Sequence, residues 1–288
     1  MSSWDEDVIM EFMNKSKTSW GSVANWYNNL IEKDDDSYQR RLILPNLLRL
    51  VEARRGEVLL DLACGQGFFA REFARLQMPG ASATGGQAKL GTKVIGVDIS
   101  QELIQLAKKH PSNLAIKQFN NREVEYHVSS ADKLGFIQNE SIDKILIVLS
   151  LQNIENANDV IKEVNRVLKP KGKLFIVLNH PAFRIPKTSS WGWDNKLKMQ
   201  YRRLNSYLSE SKEQIQMHPG DKPWEKTISF HRPLQFYFKA LNKNNLLVSK
   251  LEEWNSHKIS EPGPKKEAED RTRREFPLFL FLEAIKQT

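Results

Sequence analysis

The chain has 288 residues, 40% of them hydrophobic and 27% charged, with a formal net charge of +8. That length supports one large domain or two small ones with a substantial core, and the composition is that of a soluble globular protein. No apolar run approaches the roughly 20 residues of a membrane span, and the single cysteine, Cys64, excludes an internal disulfide or a cysteine zinc cluster.

The acidic start MSSWDEDVIMEF lacks the pattern of a secretory signal, so a cytoplasmic location is expected. The positive charge raises nucleic acid as a partner, but bases and acids are interspersed along the chain, which favours a role in solubility.

In chain order, residues 19–56 come first and read as helical. Leu44, Leu47, Leu48 and Val51 are spaced along one face and Gly56 is a stop. Apolar runs of strand length follow at Val58–Leu62, Lys93–Val97, Val124–Val128, Ile142–Leu149 and Lys173–Leu178. Helix-like segments lie between them, at 100–110 and at 156–170, the second ended by Pro170. Strands alternating with helices predict an α/β fold, a parallel sheet with helices on both faces. The stretch 77–93, rich in Gly, Ala, Ser and Thr, reads as an inserted surface loop. Residues 256–277 read as a loop in which acids nearly balance bases.

The stretch EVLLDLACGQGFFA (57–70) places a strand, an acid and two glycines ahead of a helix. Such a turn aims backbone N–H groups and a helix N-terminus at a ligand, and Gly65, Gly67 and Ala70 also satisfy the relaxed dinucleotide pattern. Asp61 tilts the choice: a carboxylate repels a pyrophosphate at this turn and attracts a cofactor that carries an ammonium and a sulfonium. Asp98 ends the second strand, where an acid accepts ribose hydroxyls. It stands 31 positions after Gly67, and removing the inserted loop restores the usual spacing of about 20. Ser100 then caps the next helix. Asp132 follows the third strand, placed to receive an adenine amino group beside the Ala131 backbone. No tyrosine has a lysine four residues on, so the short-chain dehydrogenase pair is missing.

With VLLDLACGQG, VIGVDIS, SSADKLGF, SIDKILIVLSLQNIEN and VNRVLKPKGKLFIVLNHP in place, the chain resembles the class I S-adenosylmethionine-dependent methyltransferases, in particular the type 11 group acting on small molecules. The resemblance implies a Rossmann-like, doubly wound, seven-stranded sheet, mostly parallel, with an antiparallel last strand at 276–288. Before that strand come a helix over 233–245 and a strand over 246–254. It implies S-adenosylmethionine held by Asp61, Ala63, Gly65 and Gly67 at the methionine end, by Asp98 and Ile99 at the ribose, and by Ala131 and Asp132 at the adenine.

Ligands of open α/β sheets lie beyond the carboxyl ends of the strands, so Leu149, Gln152 and Asn153 are expected to border the methyl group. No Asn- or Asp-Pro-Pro-aromatic tetrad occurs, and Cys64 sits in the cofactor turn, which leaves no nucleophile for cytosine C5 methylation. Residues 1–55 are expected to form a helical lid on a domain of 56–288, with an acceptor-binding cap inserted at 180–232. Trp191, Tyr201 and Tyr207 mixed with Arg184, Arg202 and Arg203 suit a flat or apolar acceptor with a polar or anionic group. The same mixture could also stack and pair with RNA. Tyr27 and Arg184, with Trp191 and Asn153, are the candidate acceptor contacts. His180, just after the fifth strand, and His231, before the helix leaving the cap, are the candidate general bases. The expected partner is a small-molecule acceptor, with RNA the alternative, and a cofactor-binding module without catalysis a third reading. No metal is expected, and a monomer or weak homodimer is.

Overall fold

The computed structural model describes residues 19–75, 92–112, 124–218 and 222–288. The expected inserted loop, apart from Thr92 and Lys93, and the first 18 residues of the expected lid lie outside them. The N-terminal region is helical: α1 (Ser19–Ser22), α2 (Ala24–Lys33) and, after a π-helical turn at Gln39–Ile43, α3 (Leu44–Val51). In α3, Leu47, Leu50 and Val51 are buried, as the apolar stripe requires.

An alternating series follows: β1 (Val58–Leu62), α4 (Phe68–Arg75), β2 (Lys93–Asp98), α5 (Gln101–Lys109), β3 (Glu125–Val128), β4 (Ile142–Val148), α6 (Ala157–Val167) and β5 (Leu168–Asn179). Ser100 caps α5, its Oγ accepting from the Leu103 N–H at 3.2 Å. Pro170 lies inside β5 rather than at the end of α6, which stops at Val167. Two antiparallel ribbons come next, β6 (Ser189–Asp194) with β7 (Met199–Leu204) and β8 (Ser211–His218) with β9 (Lys222–His231). The chain closes with α7 (Leu234–Lys243), β10 (Leu246–Trp254), α8 (Lys266–Glu275) and β11 (Phe279–Lys286).

Seven strands form one sheet in the order β10-β11-β5-β4-β1-β2-β3, and β11 runs antiparallel to both of its neighbours. The order reverses between β1 and β4, so the connections leaving these two strands diverge and open a crevice beyond their carboxyl ends. Strand residues alternate between two cores. Leu60, Ile145, Ile147, Ile176 and Leu282 face α6 and α7, while Leu59, Leu146, Phe175 and Phe281 face α3, α4 and α5.

Two expectations are corrected. The closing strand expected over 276–288 is β11, shorter at Phe279–Lys286, which lies between β5 and β10 and is buried on both faces. Glu283 inside this strand is paired through one oxygen, Oε1, with Lys173 Nζ at 3.0 Å and Ser249 Oγ at 2.8 Å, while its Oε2 is buried without a partner. The expected loop at 256–277 contains α8, rich in strong helix formers, with only Ala268 and Thr272 buried.

Phe281 is fully buried and stacks on Trp254 at 5.3 Å and Phe175 at 6.3 Å. Phe281→Ala is expected to cost about 3–5 kcal/mol, read as a lower denaturation midpoint with an unchanged slope.

Candidate functional site

The site grows from the turn that follows β1. Ala63, Gly65 and Gly67 all take positive φ, at 60°, 58° and 80°. Glycine adopts this freely, whereas Ala63 sits there at a cost of about 1–3 kcal/mol. Gly67 must also be small, since a Cβ there would run into the Tyr126 hydroxyl. The only other described non-glycine residue with positive φ along the crevice is Leu149, at 53°, at the tip of the adjacent β4. Cys64 N–H bonds Val97 O at 2.9 Å, fastening the turn to β2.

Two buried acids hold this turn. Asp61, 1% exposed, accepts the Ala70 N–H of α4 at 3.0 Å. Asp98, 8% exposed, accepts Gly65 N–H on one oxygen and Ser100 N–H on the other, each at 2.8 Å. Burial pushes the Asp61 carboxyl up to about 7; the Ala70 N–H and Arg71 oppose this and the charge of Asp98 adds to it. Burial also raises Asp98, against its three backbone N–H groups. Cys64 is buried and its thiol is held well above the ordinary range, first by burial and then by the two acids, so it is not a nucleophile.

These residues line a cavity of about 310 Å³, with Ser129, Ser130 and Ala131 after β3, and Val148, Leu149, Asn153 and Glu155 after β4. Trp20, Tyr27, Ile31, Phe68 and Phe69 complete its wall. Ile99 lines it as well, an apolar side chain left 53% exposed. Among the described residues the lining includes Asp61, Asp98 and Glu155 and no Lys, Arg or His. A wall of this kind suits a cationic ligand with a flat apolar part. Tyr27 is pushed up to about 12 by burial and then by Asp98 and Asp61, so it stays a neutral phenol there.

An ion-pair network fastens the N-terminal helices over the turn. Arg71, 3% exposed, pairs with Glu32 of α2 at 2.5 Å and donates to the Gln66 backbone oxygen. Glu32 also meets Arg40 at 3.3 Å and His110 at 3.4 Å.

The family model "Methyltransferase domain" matches residues 53–217, more than half of the chain and all of this cavity's wall except Trp20, Tyr27 and Ile31. The chain belongs to that family. It is an S-adenosylmethionine-dependent methyltransferase, and its acidic cavity fits a donor that carries an ammonium, a sulfonium and an adenine. An uncharacterized protein of Haemophilus influenzae is 26% identical over 99% of this chain and 97% of its own length. The ubiquinone biosynthesis O-methyltransferase of Xanthomonas oryzae pv. oryzae is 30% identical over 61% of this chain, a match that spans 65% of that enzyme. An S-adenosylmethionine-dependent methyltransferase from Mesorhizobium loti shares the fold, with a TM-score of 0.63 at 20% identity over 88% of this chain and 99% of that one.

Of the residues expected at the methyltransferase's donor site, Asp61, Ala63, Gly65, Asp98, Ile99, Ala131 and Leu149 meet at the one cavity, joined by Tyr27 and Asn153. Gly67 stands behind the wall, packed on Tyr126. Asp132 is turned to the Ser130 hydroxyl and does not line the cavity. Gln152 instead lines a second cavity, together with Arg184 and His231. Trp191 lines neither; it lies on β6 with the Arg202 guanidinium 4.8 Å from its ring.

His180 does not reach the donor cavity either. Its Nδ1 accepts the Ala182 and Phe183 N–H groups at 3.2 and 3.4 Å, so its Nε2 donates to Glu253 at 2.7 Å. Both ring nitrogens are engaged, Nε2 in tying the end of β5 to β10 and Nδ1 in closing the turn that follows β5. His231 Nε2 lies 2.7 Å from the Tyr207 oxygen and donates to it.

Glu32, Arg71, Ser129 and Ser130 escaped the sequence reading. Both serines follow β3 directly and were findable from the strand end. Glu32 and Arg71 meet across 39 residues with no local pattern to pair them.

The Asp61 shift has a pH signature. Its folded value of about 7 lies above the ordinary 3.8, so the stability that protonation contributes is full below about pH 4 and is lost as pH rises through 7. Asp61→Asn stays neutral, so its melting point relative to wild type should climb between about pH 4 and 7 and level off above, without donor. A difference that stays flat across that range would show Asp61 to be ionised throughout.

Proposed function

We propose that this methyltransferase carries the methyl group to an O, N or C atom of a small, aromatic or lipid-like metabolite. The supporting observation is the cavity wall: besides its three acids it is built from Trp20, Tyr27, Phe68, Phe69, Leu149 and Ile154, with no basic side chain among the described residues. A phosphodiester backbone would enter past Asp61, Asp98 and Glu155 with nothing there to neutralise it. Some of the chain's basic side chains serve the fold in ion pairs, Arg71 with Glu32, Lys144 with Glu57, Lys169 with Asp143 and Lys173 with Glu283. The Xanthomonas relative is named for a methylation in ubiquinone biosynthesis, which agrees with a small acceptor.

S-adenosylmethionine supplies a methyl group on a cationic sulfonium, open to in-line displacement by the acceptor atom. The protein's part is placement. Asp61 and the Gly65 turn face the amino acid end, Asp98 keeps a lone pair on each oxygen for ribose hydroxyls, and Ile99 with Ala131 borders the adenine. Leu149 and Asn153, after β4, border the reacting carbon. α1 and α2 act as the lid, bringing Trp20 and Tyr27 over the cavity and excluding water. Among the described residues no histidine lines the donor cavity: His180 is engaged with Glu253 and His231 lines the second cavity.

The test is a survey of acceptors with S-adenosylhomocysteine release as readout. Phenolic and prenylated acceptors should be turned over at rates little changed between low and moderate salt. Asp98→Ala should weaken donor binding by about tenfold or more in calorimetry. Turnover of RNA alone, falling steeply with salt, would overturn the reading.

A further inference from the structure

A second cavity, of about 330 Å³, lies between the β5 exit and the ribbons that follow it. It shares a wall with the donor cavity: in the short 3-10 turn Leu151–Asn153 after β4, Asn153 lines the first and Gln152 the second. Its chemistry is the reverse of the first. Arg184, Arg202, Arg232 and His231 line it, and no Asp or Glu does among the described residues.

The cations differ in what they already hold. Arg232 is 4% exposed and occupied, donating to the Leu151, Ile154 and Glu155 carbonyls at 3.4, 3.0 and 2.7 Å, with Glu210 at 3.9 Å. Arg202 is anchored by Nε to the Phe183 oxygen at 2.8 Å and by one Nη to Ser189 Oγ at 2.7 Å, with its guanidinium over the Trp191 ring, and its other Nη has no hydrogen-bond partner among the described residues. Arg184 is exposed and makes no side-chain hydrogen bond and no ion pair with any described residue, yet its charge is felt by Arg202, whose pKa is lowered by burial and then by Arg184. Two guanidiniums that repel one another, with no carboxylate in the cavity lining among the described residues, favour an anion placed between them. Gln152 adds a second, independent feature. It is 8% exposed, its Nε2 donates to Leu149 O at 2.8 Å, and its Oε1 is buried without a partner. A buried acceptor left alone costs about 1–3 kcal/mol, which a ligand O–H would recover.

We propose that this second cavity is an oxyanion site for the acceptor, in which Arg184 and Arg202 bind a carboxylate or phosphate group and Gln152 Oε1 accepts from a hydroxyl of the same group or beside it. The inference rests on the small-acceptor reading above and narrows it: the acceptor spans the Leu151–Asn153 turn, its methyl-accepting atom in the acidic cavity and its anionic end in the basic one. The opposite charges of the two cavities fix which way round such an acceptor lies, because the anionic end is repelled by Asp61 and Asp98.

Binding of inorganic phosphate and of acetate to the full-length protein, by calorimetry and thermal shift, tests the site directly. Wild type should bind at least one of them. Arg184→Gln, which removes no hydrogen bond of the fold, should weaken that binding by about 10–100-fold, and Arg184→Lys should restore part of it. A preference for phosphate over acetate would identify a phosphate ester as the acceptor, and the reverse a carboxylic acid. In turnover, Arg184→Gln should raise KM for an anionic acceptor without raising it for its neutral methyl ester. No binding of either ion to wild type, or binding untouched in Arg184→Gln, overturns the oxyanion site. Loss of S-adenosylmethionine binding or RNA-only turnover would instead strike at the small-acceptor reading, so the two failures are separable.

Discussion

Two carboxylates buried at adjacent strand tips, each holding a backbone N–H of the segment after β1, are the constraint on which the site depends. Asp61 grips the start of α4 through Ala70, and Asp98 grips the turn itself through Gly65. The acids that face the donor therefore also shape the loop that receives it. Removing two carboxylates from water and setting them near one another is unfavourable, and the raised Asp61 pKa is the measure of that. A bound cation relieves it, so donor binding and the ionisation of Asp61 are linked. Ala63 and Leu149, at the ends of β1 and β4, both take positive φ beside the same crevice, a backbone cost that the surrounding structure must hold in place.

The N-terminal helices complete this arrangement through a different interaction. Arg71 is buried inside the domain yet reaches Glu32 on α2, and Glu32 collects Arg40 and His110 as well. Breaking such a pair leaves a buried guanidinium uncompensated, so movement of α2 away from the turn is opposed strongly at this one point. The pivot lies at the base of the helix that carries Tyr27, whose ring stands 3.5 Å from where a Gly65 Cβ would be. Toward its start the same helical segment is held by Trp20, whose ring meets Tyr27 edge-on at 5.4 Å.

What the sequence makes legible follows from how local each cause is. β1, β2, β4 and the second half of β5 show as short apolar runs because they are buried on both faces, whereas β3, at the sheet edge, is buried only in part. Asp61, Gly65 and Asp98 show because strand-end chemistry is written in adjacent residues. The order of the closing strands is legible only through resemblance, since nothing in FPLFLFLEAIKQT says that β11 inserts between β5 and β10. α8 is missed because a helix that is polar nearly all round carries little amphipathic signal. His180 is misplaced for a related reason. Its position after β5 is right for a site residue, but its direction is set by Glu253, 73 residues away. Asp132 fails over a shorter range, captured by Ser130, a competition that residue spacing does not reveal.

The turn after β4 is where donor and acceptor chemistry meet, and its anchoring is uneven in a telling way. From the sheet side it is held by strand pairing and by Leu149 N–H on Val177 O at 2.8 Å. From the side of the ribbons it is held chiefly by one buried arginine, Arg232, bonding the carbonyls of Leu151, Ile154 and Glu155, with Asn153 Nδ2 on Ile228 O at 3.3 Å and Lys212 on Glu155 at 2.9 Å beside it. The ribbons are thus fastened to the backbone of the turn by Arg232 and to its side chains at Asn153 and Glu155. Asn153 still lines the donor cavity and Gln152 the second one, so the one turn faces both. On the proposed reading, acceptor specificity would reside in Arg184, Arg202 and Gln152, while Asp61 and Asp98 would serve the shared donor chemistry.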